Sequence, residues 1–431
     1  MEDKPAPART GQVRWTVCAL LFAGTTINYI DRQALGILAP HLQKVIGWSE
    51  VQYGVIVTAF QAAYALGLIL FGRVVDRFGT RRGYAASIIL WSLAAASHAL
   101  ARTVSGFGAA RAALGGAEAG NFPSAIKAVA EWFPKKERAL ATGLFNSGSN
   151  FGAVLAPAVV PWLTVTFGWP AAFVATAALG FVWLAFWLVL YERPERKKGL
   201  GQAERAHILS DPPEAGASKV PWRELLRHRQ TWAFVAGKFL TDPIWWFYLY
   251  WLPKFLHTKH GLTILSLGLP LVAIYTMTSI GSIGGGWLSS ALIKRGWTVN
   301  RSRKAAMLLC AVCVVPIVTV SRTADLWTAV LVIGLAAAAH QGWSANIFTL
   351  ASDMFPKRAV GSIVGLGGMA GAAGSLLFAP LVGIILERTR NNYLIPFLIS
   401  GSVYLVAFVI VQVLAPRLAP VALVEPGSRA A

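Results

Sequence analysis

An arginine and a glutamate stand seven residues apart in Arg111-Ala-Ala-Leu-Gly-Gly-Ala-Glu118, inside a long apolar stretch. At about 100° per residue, seven steps return to nearly the same helix face, so both side chains enter one interior roughly 10 Å apart along the axis. A second charged pair, Asp31-Arg32, interrupts the first apolar run. Adjacent helical residues project about 100° apart, so one can face a pathway while the other faces the bundle. Charges at membrane depth are costly and mark routes for ions or charged solutes. Arginine offers a planar fork that matches a carboxylate and keeps its proton. Arg32 is therefore the first candidate for binding an anion, with Arg111 either a second anchor or the partner of Asp31. A buried carboxylate changes its proton affinity when a cation leaves or an anion arrives. Glu118 and Asp31 are thus candidate proton-coupling groups, against the plainer alternative that each is a structural ion-pair partner.

These pairs need a helical scaffold, and the composition supplies one. Of 431 residues, 55% are hydrophobic and 13% charged, the mean hydropathy is +0.55, and apolar runs repeatedly reach the roughly 20 residues that span a bilayer. The runs lack the period-two alternation of a membrane β-barrel. The net charge of +20 would suggest nucleic acid in a soluble chain, but the basic residues lie in short loops on alternate sides of the spans, the positive-inside pattern of a membrane protein. No nucleic-acid partner is expected. The polar start, Met1-Glu-Asp-Lys-Pro, is expected to be retained. The Cys310-Ala-Val-Cys313 spacing lies within an apolar span and reads as helix packing. A nucleotide loop, a His-Glu-x-x-His pattern and a nucleophile elbow are all missing, so an enzyme, a cofactor or a metal is not expected.

Spans are expected at about 15–38, 50–72, 83–101, 105–130, a glycine-rich fifth run after Arg138, and 171–191. Six more follow at about 230–256, 265–292, 305–321, 326–352, 360–386 and 393–414. The polar stretch 192–229 cannot span and divides a bundle at 1–191 from one at 230–431. Phe133-Pro-Lys-Lys-Glu-Arg-Ala-Leu-Ala-Thr-Gly-Leu144 aligns without gaps on Phe355-Pro-Lys-Arg-Ala-Val-Gly-Ser-Ile-Val-Gly-Leu366, and Gly286-Trp-Leu-Ser-Ser290 echoes Gly72-Arg-Val-Val-Asp76 with a serine where the aspartate stands. The expected fold is all-α: twelve transmembrane helices in two six-helix bundles related by parallel duplication, both termini cytoplasmic, with a substrate site between the halves.

Further candidates follow from position. Asp76 in the tight basic loop can cap a helix start and pair with Arg77 or Arg81, a contact suited to gating. Asn146, Ser149 and Asn150 share one face of the fifth span. Lys238 and Asp242, one turn apart, form an expected ion pair, more plausibly structural or gating than substrate-binding. The offset that aligns Phe133 with Phe355 also aligns Glu118 with His340, a titratable group able to bind substrate or relay protons. Trp246, Tyr248, Trp343 and Asn346 are candidate substrate contacts, offering apolar faces and hydrogen-bond donors.

Gly72-x-x-x-Asp76-Arg77-x-Gly79-x-Arg81-Arg82 resembles the loop signature of the major facilitator superfamily. Asn28-Tyr-Ile-Asp-Arg32, the Arg111 to Glu118 stretch, Asp242-Pro-Ile-Trp-Trp-Phe-Tyr-Leu-Tyr-Trp251 and His340-Gln-Gly-Trp-Ser-Ala-Asn346 resemble its anion:cation symporter branch, most of all the bacterial hexuronate transporters, with galactonate transporters close by. The resemblance implies proton-coupled uptake of an organic anion across a bacterial cytoplasmic membrane. It also places coupling carboxylates at Asp31 and Glu118, anion-binding arginines at Arg32 and Arg111, and a second-span tyrosine at Tyr64. Where galactonate relatives carry a glutamine in the fifth span and an asparagine in the eleventh, this chain has Ser149 and the run Gly365-Leu-Gly-Gly-Met-Ala-Gly371. A sugar-acid anion such as glucuronate or galacturonate, protons and the lipid bilayer are the expected partners, and the monomer the expected working unit. The C–H groups and hydroxyls of such a sugar would suit the faces and donors of Trp246, Tyr248, Trp343 and Asn346. Organic-anion exchange, symport of another carboxylate such as galactonate, and a membrane sensor that does not transport remain as alternatives.

Overall fold

The structure is a computed structural model that describes residues 11–211, 220–262 and 268–421. The expected cytoplasmic tails lie outside these residues at both ends. The described chain is helical throughout. In order, the helices are α1 (Val13–Ile46), α2 (Glu50–Phe78), α3 (Thr80–Ser97), α4 (Val104–Glu118), α5 (Asn121–Trp132), α6 (Lys135–Phe167), α7 (Trp169–Leu190), α8 (Gln202–Ile208), α9 (Trp222–Leu225), α10 (Arg229–His260), α11 (Gly268–Lys294), α12 (Val299–Val314), α13 (Leu326–Met354), α14 (Lys357–Arg388) and α15 (Leu394–Leu414). With α4 and α5 counted as one pass, and α8 and α9 as cytoplasmic, they make twelve passes.

Nine of the described helices are long and apolar enough to cross a membrane on length and composition alone. The other three passes are α1, α4–α5 and α10, which carry Asp31 and Arg32, Arg111 and Glu118, and Lys238 and Asp242. The passes that look least like membrane spans are thus the ones that bring charge to the interior.

Two expected spans are interrupted. The fourth is not one helix over 105–130: it breaks at Ala119–Gly120, directly after Glu118. Pro123 has no N–H to give the Ala119 carbonyl, and Gly120 packs so closely on Ser87 and Phe71 that a Cβ would collide with both. The ninth tightens from α12 into a 3₁₀ turn at Val315–Arg322, where Pro316 removes the donor an α-helix needs. Cys310 and Cys313 are both free thiols on α12, as packing residues would be.

The duplication read in the sequence is visible as paired backbone contacts on the side of the basic loops, the cytoplasmic side by the positive-inside rule. A Cβ on Gly72 of α2 would strike the Gly361 carbonyl of α14, and one on Gly365 would strike the Leu68 carbonyl. Their repeat mates do the same between α11 and α6: a Cβ on Gly286 would strike the Ala139 carbonyl, and one on Gly143 the Ser282 carbonyl. Small residues let these helices touch backbone to backbone and shut the cytoplasmic side.

Asp76 reinforces one of the two contacts, with partners other than those expected. Its carboxylate accepts from the Gly361 N–H at 3.1 Å and the Ser362 N–H at 2.6 Å, and pairs with Lys127 Nζ at 2.7 Å. Arg77 instead lies over Phe78, and Arg81 pairs with Glu192 at 2.9 Å and donates to the Leu188 carbonyl. Arg77 stays beside the last residue of α2 and Arg81, on α3, reaches the end of α7 and Glu192, whereas the Asp76 carboxylate turns inward to α5 and α14. At the repeat-related contact Ser290 Oγ accepts from the Leu140 N–H at 3.3 Å, so a neutral group stands in for the aspartate. Deeper in the cytoplasmic face, Arg303 pairs with Asp353 at 2.9 Å and donates to the Lys135 carbonyl at 2.6 Å, and Glu204 of α8 pairs with Arg14 at 3.2 Å.

Gly72→Val should pry this side open. With a cysteine placed at Ser362, thiol labelling from the cytoplasmic side is expected to rise several-fold relative to the same cysteine with Gly72 intact. Unchanged labelling would show that the α2–α14 contact does not hold the closed state.

Candidate functional site

Above the cytoplasmic seal lies a cleft of about 680 Å³, open space included. Both sets of six passes line it. Its floor is a ring stack that crosses between them: Phe122 of α5 against Phe348 of α13, centroids 5.2 Å apart and 14° from parallel. Leu68 and Val364, beside the α2–α14 contact, complete the floor.

Arg32 of α1 stands in one wall inside an aromatic cage. Its guanidinium carbon lies 4.8 Å from the Tyr29 ring, 4.6 Å from Tyr64 and 5.2 Å from Phe60. Tyr29 precedes it by one helical turn and shares its face; Tyr64 comes from α2. Rings at these distances hold a desolvated cation without neutralising it. Arg32 Nε donates to Glu118 Oε2 at 3.0 Å, while its Nη2 has no hydrogen-bond partner among the described residues. Glu118 is completely buried behind Arg32, and its Oε1 also lacks a hydrogen-bond partner among the described residues. Arg32 thus lines the cleft with one buried nitrogen still unpaired, while its counter-ion is hidden and keeps an oxygen available for a proton. The break in the fourth pass sits directly after this glutamate.

Arg111 and Asp31 take different places. Arg111 Nη2 donates to the Arg32 carbonyl at 2.7 Å, and its guanidinium lies 4.4 Å from the Phe60 ring. It braces the Arg32 backbone and does not line the cleft. The Asp31 carboxyl is buried on the other face of α1, beside Thr176 of α7, as the 100° step between neighbours allows. Arg32, Arg111 and Glu118 thus form one group, with Asp31 on the far side of the helix.

On the fifth pass, Asn146 and Ser149 reach the cleft. Asn146 Nδ2 donates to Gln341 Oε1 at 2.8 Å and to Ser282 Oγ at 3.2 Å, linking α6 to α13 and α11. Asn150 turns to the same Gln341, accepting from its Nε2 at 3.4 Å. The opposite wall carries Lys238, Asp242 and Trp246 of α10 and His340 of α13. Lys238 Nζ pairs with Asp242 Oδ2 at 2.8 Å and sits 3.9 Å from the Phe348 ring centroid. The His340 ring is stacked on Trp245, 5.2 Å away and 5° from parallel, and its Nδ1 meets the Tyr404 hydroxyl at 2.5 Å. That hydroxyl also lies 3.5 Å from the Thr241 carbonyl, so Nδ1 is taken up by Tyr404 and Nε2 is the ring nitrogen left for a substrate hydroxyl.

Three expected sugar contacts lie elsewhere. Tyr248 faces a small apolar hollow between α10 and α11, Trp343 is buried against Tyr404, and Asn346 Nδ2 donates to the Gly285 and Gly342 carbonyls, both at 2.9 Å. Each is one helix face away from the cleft. The polar and aromatic lining residues that sequence reasoning passed over are Tyr29, Phe122, Trp245, Gln341, Ser344 and Phe348. Tyr29 was legible as the residue three before Arg32; the two phenylalanines carried no polar signal.

Twelve helical passes, a duplicated cytoplasmic seal and a charged cleft between the halves define a membrane transporter of the alternating-access type. The sequence profile described as Major Facilitator Superfamily matches residues 21–379. The chain belongs to that superfamily, within its hexuronate, galacturonate and galactonate transporters. It is 34% identical over 381 residues to the hexuronate transporter of Escherichia coli (strain K12), covering 87% of this chain and 88% of that one. To the galacturonate transporter of Dickeya chrysanthemi it is 37% identical over 303 residues, covering 69% of this chain and 88% of the relative. The solved structure of the proton:xylose symporter XylE bound to 6-bromo-6-deoxy-D-glucose superposes with a TM-score of 0.76 at 15% identity, covering 95% of this chain and 98% of that one, a likeness of fold.

Proposed function

We propose that this protein imports a sugar-acid anion of the hexuronate class, such as glucuronate or galacturonate, by proton symport across a bacterial inner membrane. The observation that carries the reading is the arrangement at Arg32: a guanidinium that lines the cleft with one nitrogen unpaired, an aromatic cage around it, and a single buried carboxylate behind it. A substrate carboxylate would take up that donor. The rings, with Asn146, Ser149 and His340, suit a hydroxylated body.

Proton and substrate meet at the same cation. With Glu118 ionised, Arg32 is compensated and an incoming anion competes with Glu118 for it. A proton on Glu118 releases Arg32 to the substrate. The bundle at 1–191 then rocks against the bundle at 230–431, opening the Gly72–Gly361 and Gly286–Ala139 contacts and freeing the load to the cytoplasm. Residues of both halves of a single chain line the cleft, which suits a monomer as the transport unit. One proton per monoanion is electroneutral; a second would carry positive charge inward, with Asp31 as its candidate carrier.

Uptake of radiolabelled glucuronate and galacturonate into proteoliposomes tests this. An inward proton gradient is expected to raise accumulation well above that in vesicles without one. Counterflow without gradient-driven accumulation would make the protein an anion exchanger. No movement of either acid in either mode would remove the hexuronate assignment.

A further inference from the structure

The two walls of the cleft differ in the charge they present. In the Arg32–Glu118 pair the carboxylate is wholly hidden and the cation reaches the cleft. The Lys238–Asp242 pair is turned the other way: its lysine side chain is 5% exposed and its aspartate 21%. Lys238 is withdrawn against the face of Phe348. Gly371 of α14 leaves the space that Asp242 Oδ2 occupies, since any Cβ there would collide with it. The cleft therefore offers a guanidinium at one wall and a carboxylate at the other.

We infer that Asp242 determines which sugar acids are accepted, by receiving hydroxyl groups at the end of the substrate remote from its carboxylate and repelling substrates that carry a second carboxylate there. The inference rests on the sugar-acid reading above and sharpens it from "sugar acid" to "sugar acid with one charged end". A carboxylate accepts from up to two sugar hydroxyls, and the neighbouring ammonium holds it in place. A second carboxylate brought against it meets a like charge in a partly desolvated site, which costs several-fold to many-fold in affinity. Lys238 does not rescue such a substrate, since its charge is already committed to Asp242 at 2.8 Å.

The test compares binding of glucuronate and glucarate, which carry a carboxylate at one end and at both ends respectively, to the purified full-length protein in nanodiscs at pH 7.5, where all these carboxyls are ionised. Intrinsic tryptophan fluorescence or calorimetry reads the affinities. Wild type is expected to prefer glucuronate by about tenfold or more. Asp242→Asn should shrink that preference about tenfold, glucuronate weakening while glucarate tightens. Lys238→Gln, which leaves the carboxylate uncompensated, should widen it. Asp242→Glu should keep the wild-type ratio. Monodispersity and thermal unfolding confirm that each variant is folded, and because the two substitutions shift the ratio in opposite directions, either one alone is decisive. A ratio unchanged by the folded variants, or wild type binding both acids equally, overturns the role of Asp242 while leaving the sugar-acid reading intact. Wild type binding neither acid overturns both.

Discussion

Arg32→Gln is expected to abolish substrate binding while leaving a folded protein. The glutamine removes the charge and the fork, and two charge-assisted hydrogen bonds at about 1.5–3 kcal/mol each correspond to a loss of about 100-fold or more in affinity. Arg32→Lys should be intermediate, because an ammonium keeps the charge but cannot present two parallel donors. The measurement is glucuronate affinity by tryptophan fluorescence, with monodispersity and membrane abundance as controls. Glu118 complicates the glutamine variant, since removing Arg32 strands a buried carboxylate at the cost of a broken buried pair, about 3–5 kcal/mol. The double variant Arg32→Gln/Glu118→Gln removes that complication: both charges are gone, folding is relieved, and binding is still expected to be lost. Near wild-type affinity in the double variant would transfer the anion site to Lys238.

Much of this site was legible in the sequence because charge inside an apolar helix stands out whatever the fold. Arg32, Glu118, Lys238 and Asp242 interrupt helices that would otherwise pass as ordinary spans, and the repeat placed Ser290 opposite Asp76 before any contact was known. Helical periodicity also brought Asn146 and Ser149 onto one face. It fails at finer grain: Asn150 is one residue further around and meets Gln341 from behind the cleft, and Trp343 and Asn346 face neighbouring helices. The apolar pattern of a single helix cannot say which of several neighbours a polar side chain will meet. Tertiary partners were correspondingly out of reach. Asp76 chose Lys127 and two backbone N–H groups of α14 over the arginines beside it in sequence, because the close α2–α14 approach across Gly72 and Gly361 buries the carboxylate where Arg77 and Arg81 do not follow. The break after Glu118 was foreshadowed only by Gly120 and Pro123, residues that membrane helices often tolerate unbroken.

Glu118→Gln should uncouple transport without abolishing it. In wild type the buried Arg32–Glu118 pair makes two partial states unfavourable. Substrate without a proton gathers two carboxylates around one guanidinium; a proton without substrate leaves that guanidinium uncompensated in a desolvated cage, a cost of the order of the 3–5 kcal/mol for breaking a buried pair. The loaded state with both, and the empty state with neither, each balance the cation. Only balanced states cross easily, which is what obligatory coupling requires. Glutamine fills nearly the same volume and can still hydrogen-bond, but it is neutral at every pH, so Arg32 is free at all times. The variant is then expected to bind glucuronate at least as tightly as wild type, with an affinity that no longer varies between pH 5.5 and 8, and to exchange external for internal substrate at a substantial rate. Its empty form carries an uncompensated arginine and returns poorly, so accumulation driven by an inward proton gradient should fall to the level seen without a gradient. Without a proton, each monoanion also moves against an inside-negative potential, worth about 2.3 kcal/mol per charge per 100 mV, which depresses net uptake further. Proteoliposome uptake and counterflow, measured side by side, separate these effects. If Glu118→Gln accumulates glucuronate against a gradient as wild type does, the glutamate is a structural partner of Arg32, and the coupling proton must be carried by Asp31 or Asp242. If both accumulation and exchange vanish while binding persists, the carboxylate is needed for the conformational step itself, and coupling has to be sought in how protonation frees the fourth pass to bend at Ala119–Gly120.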